Sequence, residues 1–239
     1  MRLLLINANT TEAVTLLCAD VARRVASVGT EIVPLTGRFG AAIIESRAEN
    51  AIAAHTLLEL VAEHRGQADA ALIAVSYDTA LLPAREIAGF PVLGITQASL
   101  SVANLLGSHI GMVTFGTPGL YRELADGYGF GPRIAGIEVI AADARAAYAD
   151  PGGVEAIVAA SASKLENAGA DVVVLCGAAM SGMAAAIEGK MSVPVLDGVT
   201  CGVPLCEMLA GQNKFIRALP TRPAASTGLS PALRAALYR

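Results

Sequence analysis

QADAALIAV (residues 67–75) and GADVVVLCG (residues 169–177) decide the fold. Each is an Ala-Asp pair running into an unbroken apolar stretch, and the two lie 102 residues apart. A second pair, Phe90-Pro91-Val92-Leu93 and Val193-Pro194-Val195-Leu196, repeats at a spacing of 103. That period is far longer than a solenoid unit and suits a duplicated α/β lobe.

Working outward, apolar runs at 3–9, 31–36, 70–75, 91–95, 109–116, 137–142, 171–176 and 194–199 read as strands. Ala/Leu/Glu-rich stretches at 11–26, 48–65, 97–106, 117–128, 151–168, 180–189 and 203–211 read as helices between them. Continuous apolar strands alternating with helices predict parallel sheets covered on both faces. The fold class is therefore α/β, with two pseudo-symmetric parallel-sheet lobes and an active site in the cleft between them. We place the first lobe at 1–98, the second at 99–205, and a C-terminal helix and tail at 206–239, packing back on the first lobe. The helix at 97–106 carries the chain across, and ALPTRPAASTGLS (218–230) reads as a surface tail before a short final helix.

Composition narrows the function. Hydrophobic residues make up 54% of the 239 and mean hydropathy is +0.55, so a membrane role must be considered. No stretch approaches the roughly 18 uninterrupted apolar residues of a spanning helix. LLLI (3–6) runs straight into Asn7, Asn9, Thr10 and Thr11, unlike a secretory leader. We expect a cytoplasmic protein with no membrane partner. Net charge is −4, with no basic stripe, no Trp and few aromatics, which argues against nucleic acid and against stacking surfaces. The Ala-rich helices make a homo-oligomer the expected assembly.

Four cysteines stand at 18, 176, 201 and 206, without zinc-site spacing. No GxGxxG follows the first strand, and neither GxxxxGK[ST] nor GxSxG is present. The three histidines are too scattered for a His-based site. What remains lies at strand ends, where open α/β sheets bind ligands. Asn7-Ala8-Asn9-Thr10-Thr11 follows the first strand and Ser76-Tyr77-Asp78-Thr79 the third. Thr114-Phe115-Gly116 follows the fifth, Cys176-Gly177 ends the seventh, and Asp197-Gly198-Val199-Thr200-Cys201 the eighth. Asn and Thr there are ordinary helix caps as well as potential anion donors. Cys18 and Cys206 fit buried helix positions. Cys176 precedes a predicted helix N-terminus, where the macrodipole would favour a thiolate; Cys201 shares part of that argument.

INANTT (6–11), YDTALLPARE (77–86), PVLGITQASL (91–100) and PVLDGVTCGV (194–203) together resemble the aspartate/glutamate racemase superfamily, in particular its hydantoin and allantoin racemase branch. The resemblance spans nearly the whole chain. It implies two lobes around one site, no cofactor and no metal, and a small substrate with a carboxylate or imide group. It also implies two thiols, one per lobe, exchanging a proton on opposite faces of the carbon α to a carbonyl, while donors hold the enolate-like oxygen.

The chain departs from that pattern. The family's thiols fall six residues after the paired Asp, and here those positions are Val75 and Gly177. Ser76 and Cys176 lie one residue to either side. The opening Pro of the family is Ala8, and its acidic residue after the fourth strand is Gln97. We take Cys176 and Ser76 as the catalytic pair, with Cys201, Tyr77 or Asp78 as sources of a second acid–base group. Asn7, Asn9, Thr10, Val75, Tyr77, Thr114, Gly177 and Ala178 are expected to contact substrate. A hydroxyl activates poorly without a base, so Ser76 reads as a donor to an anionic intermediate. One thiol plus hydroxyls resembles arylmalonate decarboxylase, so a lyase and a silent small-molecule binder stand beside the racemase reading.

Overall fold

A computed structural model of the chain describes residues 1–142, 144–212 and 226–238. All eight expected strands form: β1 Arg2–Asn7, β2 Glu31–Thr36, β3 Ala70–Ile73, β4 Val92–Gly94, β5 Ile110–Thr114, β6 Ile134–Val139, β7 Val172–Cys176 and β8 Val195–Asp197. They make two four-stranded parallel sheets of matching order, β2-β1-β3-β4 and β6-β5-β7-β8. In each order the chain first adds a strand to one side, then crosses to the other. That reversal leaves a crevice beyond the carboxyl ends of the central strands.

The helices are α1 Glu12–Val25, α2 Arg47–Glu63, α3 Leu81–Ala88, α4 Ile95–Leu106, α5 Pro118–Gly127, α6 Ala144–Ala149, α7 Pro151–Asn167, α8 Met183–Ile187, α9 Gly198–Ala210 and α10 Pro231–Leu237. Their starts carry local signals. Ser46 and Glu49 form a capping box before α2, and Asp150 caps α7 ahead of Pro151. The 203–211 expectation began too late. Asp197 accepts from Val199 N and Thr200 N, so α9 starts at Gly198 and contains Pro204. The 180–189 segment is shorter than expected: α8 is five residues between two 3-10 turns. Of the 218–230 tail, residues 218–225 lie outside the described residues.

Strand parity divides the core. Leu4, Ile6, Ala71, Ile73, Ile110, Met112, Val172, Val174 and Cys176 share one cluster with Leu100 of α4, which joins the two lobes. Val173 and Leu175 face the other way, onto α7 and α8. Leu3, Leu5 and Leu72 pack with α1 and with Val199, Val203 and Cys206 of α9. The α9 helix therefore leaves the second sheet and covers the first. α10 packs on α2, contributing Leu233 and Ala236 to the shared cluster. No helix among the described residues is long and apolar enough to cross a membrane.

Candidate active site

The crevices of the two sheets meet in one cavity. The first lobe supplies Asn9 after β1, and Val75, Ser76 and Tyr77 after β3. Val14 of α1 and the loop residues Ile43, Ile44 and Glu45 complete that wall. The second lobe supplies Phe115 and Gly116 after β5, Gly177, Ala178 and Ala179 after β7, Tyr121 of α5 and Tyr148 of α6.

Tyr121 is nearly inaccessible, and its hydroxyl donates to Ser76 Oγ at 2.8 Å; Cys176 O lies 3.3 Å away. Burial, reinforced by Cys176 and Tyr77, holds the Tyr121 phenol well above its ordinary range. It stays a neutral donor. Ser76, having accepted that bond, keeps its own proton to donate. Tyr77 stacks beside Tyr121 with ring centroids 5.2 Å apart. Its hydroxyl sits against Gly116, where any Cβ would collide with it. Burial raises the Tyr77 phenol too.

The turn bearing Ser76 is held tightly. Asp78 and Ala80 both occupy the left-handed region, at φ 47° and 52°. Such residues persist where surrounding bonds over-determine them. Here the buried Asp78 carboxylate accepts from Thr96 N at 3.0 Å, Gln97 N at 2.8 Å and Tyr128 Oη at 2.8 Å. It thus caps α4, whose own cap residue is Gly94, where a side chain would overlap Asp78. The second lobe reverses this arrangement. Asp197, at the position of Gly94 in the repeat, caps α9 and reaches back to Gly182 N at 3.2 Å in the turn after β7. In each lobe one aspartate ties the third strand's turn to the fourth strand's helix.

Six of the expected site residues line the cavity: Asn9, Val75, Ser76, Tyr77, Gly177 and Ala178. Four do not. Asn7 is fully buried and donates to Asn9 Oδ1 at 2.7 Å and Thr15 Oγ1 at 3.0 Å, so it positions Asn9. Thr10 is exposed and donates its N–H to Ala41 O. Thr114 is buried and accepts from Gly116 N at 3.0 Å. Cys176 shares the parity of Val172 and Val174, so its sulfur enters the shared core, 3.8 Å from Val174 O. Burial, with Asp78 nearby, pushes its thiol upward. The expected helix dipole is missing, because only a three-residue 3-10 turn, Ala178–Met180, follows it.

The other thiols are also buried. Cys18 lies 3.4 Å from both Ala178 O and Ser181 Oγ, and burial pushes it up to about 12. Burial pushes Cys201 up to about 12 as well. Gln97 lies away from the cavity and accepts from Arg85. Among the described residues no cysteine, histidine or lysine lines the cavity, and no group of acidic, His or Cys side chains is placed to hold a metal ion. Tyr121, Tyr148 and Glu45 were not expected there. Only the strand-end rule pointed near them, and the two helices and the loop that carry them have no distinguishing pattern.

Two lobes whose switch points meet over a donor-bearing cavity define a two-lobed α/β fold with one inter-lobe site. The model of the Asp/Glu/Hydantoin racemase family matches residues 3–206, and the chain belongs to that family. It is 29% identical over 225 residues to a hydantoin racemase of Pseudomonas sp. (strain NS671), covering 92% of this chain and 90% of that one. The allantoin racemase structure from Klebsiella pneumoniae superimposes with a TM-score of 0.91 at 31% identity, covering 98% of each chain. Arylmalonate decarboxylase shares the fold alone, with a TM-score of 0.65 and 16% identity over 91% of this chain and 96% of that one.

Proposed function

We propose that this racemase-family isomerase inverts the carbon α to a carbonyl in a hydantoin- or allantoin-like imide, without a cofactor, by holding the enolate form of its substrate. The observation that carries this is the Tyr121–Ser76 bond at the cavity wall, which uses the Ser76 oxygen as acceptor and leaves its proton free to donate to a developing oxyanion. Preorganised donors of this kind are the largest single contribution in many enolising enzymes.

The thiol exchange implied by the resemblance needs sulfur on both walls. Val75 and Gly177 stand at those positions, and the Cys176 sulfur lies in the core. The proposed reaction therefore rests on the oxyanion donors, with proton transfer by groups other than a thiol pair. The absence of thiol, imidazole and amine from the lining favours one second reading, a decarboxylase, in which loss of CO2 forms the enolate without a base. Proton NMR in D2O separates the two. Single-enantiomer 5-substituted hydantoins and allantoin should lose the α-proton signal together with optical rotation, whereas an arylmalonate giving deuterated monoacid would replace the racemase by the lyase.

A further inference from the structure

We propose that Glu45 is the general base of the cavity. The inference rests on the isomerase reading above and supplies the group that removes the α-proton.

Glu45 is the one carboxylate lining the cavity among the described residues. The other titratable groups of the lining are phenols, and burial raises two of them, Tyr77 and Tyr121, away from proton acceptance near neutral pH. Glu45 also borders a larger outer recess, and Ile43, Phe115 and Ala144 line both spaces with it. Glu45 therefore stands where the cavity opens onto that recess.

Its backbone is held on both sides. Glu45 N donates to Glu49 Oε2 at 2.9 Å. Upstream, Thr11 Oγ1 donates to Ala42 O at 2.7 Å and Thr10 N to Ala41 O at 3.1 Å. Glu49 itself is committed to that network, accepting also from Ser46 N and Ser46 Oγ. The Glu45 carboxylate takes no part in it and forms no hydrogen bond or ion pair among the described residues. A fixed backbone presenting an uncommitted carboxylate to a donor-lined cavity is the geometry a general base requires.

The step balances. The α-carbon's C–H bond breaks, and its proton forms an O–H bond on Glu45. The electron pair moves into the carbon–carbon bond, and the carbonyl oxygen becomes an enolate oxygen held by Ser76. The planar enolate then turns over in the cavity and the Glu45 proton re-forms the C–H bond on its other face, or a water gives that face a proton and the hydroxide left behind takes the one on Glu45. Either route inverts the centre, and no proton is consumed overall.

The test uses the full chain and the hydantoin or allantoin that the wild type exchanges in D2O. Glu45→Gln should lower kcat by about 100-fold or more, keep KM within about threefold, and leave the melting temperature unchanged because the side chain is exposed. Glu45→Asp should recover part of the rate. A Glu45→Gln enzyme with wild-type kcat, or one altered in KM alone, would overturn the assignment while leaving the isomerase reading standing. A wild type that exchanges no α-proton would end that reading and this one together.

Discussion

Tyr121 Oη donates to Ser76 Oγ at 2.8 Å, joining the second lobe to the first at the wall of the cavity. The bond occupies the Ser76 oxygen as acceptor and leaves its proton free to donate. Ser76→Ala should lower kcat by about 100- to 1000-fold, the range for losing one oxyanion donor. Tyr121→Phe keeps Ser76 but frees its orientation, so a smaller loss is expected, together with about 1 kcal/mol of stability for the lost hydrogen bond. Steady-state kinetics and thermal melts check both. Equal losses from the two substitutions would mean that Tyr121 contacts substrate itself.

Cys176→Ala should leave turnover nearly unchanged, because its sulfur packs with Val174 in the shared core. Inactivation by that substitution would restore the thiol to the mechanism. Thiols placed at the two cavity positions should act instead. Gly177 has extended backbone, and a Cβ there would meet Met180 Cε at 3.0 Å and the Phe115 ring at 3.2 Å, a tight but adjustable fit. The double variant Val75→Cys, Gly177→Cys is expected to gain racemisation, toward the roughly 100-fold that positioned acid–base groups supply. The readout is loss of optical rotation.

Asp78 carries a pH signature. Burial outweighs its three hydrogen bonds and nearby Arg85, so its carboxyl titrates at about 7 instead of 3.8. Its folded pKa is raised, so the folded chain takes up a proton between those values. The stability it contributes is fully present below pH 3.8 and is lost as the pH rises through about 7. The melting temperature of the wild type relative to Asp78→Asn should therefore fall steadily from pH 4 to pH 7. A difference that grows over that range would contradict the assignment.

Arg47 forms a two-pronged ion pair with Glu123, with both N–O distances 2.6 Å. Arg47 stands two residues beyond Glu45, and Glu123 two beyond Tyr121, so the pair straps the two lobes together beside the cavity lining. Both side chains are exposed, and salt screens such pairs. Arg47→Ala should barely move the melting temperature but should raise KM and remove part of its dependence on ionic strength. A salt dependence identical to wild type would show that the strap has no part in binding.

Much of this was legible in the sequence. Runs such as AALIA (70–74) and VVVLC (172–176), 102 residues apart, carry the two sheets and their strand ends, because burial on both faces forces continuous apolar strands. Cys176 was read from its place at a strand end, but its side chain points with Val172 and Val174; which face meets the cavity depends on how the lobes pack, and no local pattern encodes that. Tyr121 and Glu45 escaped for the same reason. The exchange of roles between Asp78 and Asp197 was hidden as well, since a cap supplied from a distant turn looks, in sequence, like a bare Gly94.

The central claim is enolisation of an α-carbon in the inter-lobe cavity, and proton NMR of single-enantiomer 5-substituted hydantoins and allantoin in D2O tests it most directly. The account predicts that the α-proton signal and the optical rotation disappear together with wild-type protein, and far more slowly with Ser76→Ala. An α-proton signal that persists across the panel, with optical rotation intact, would contradict it.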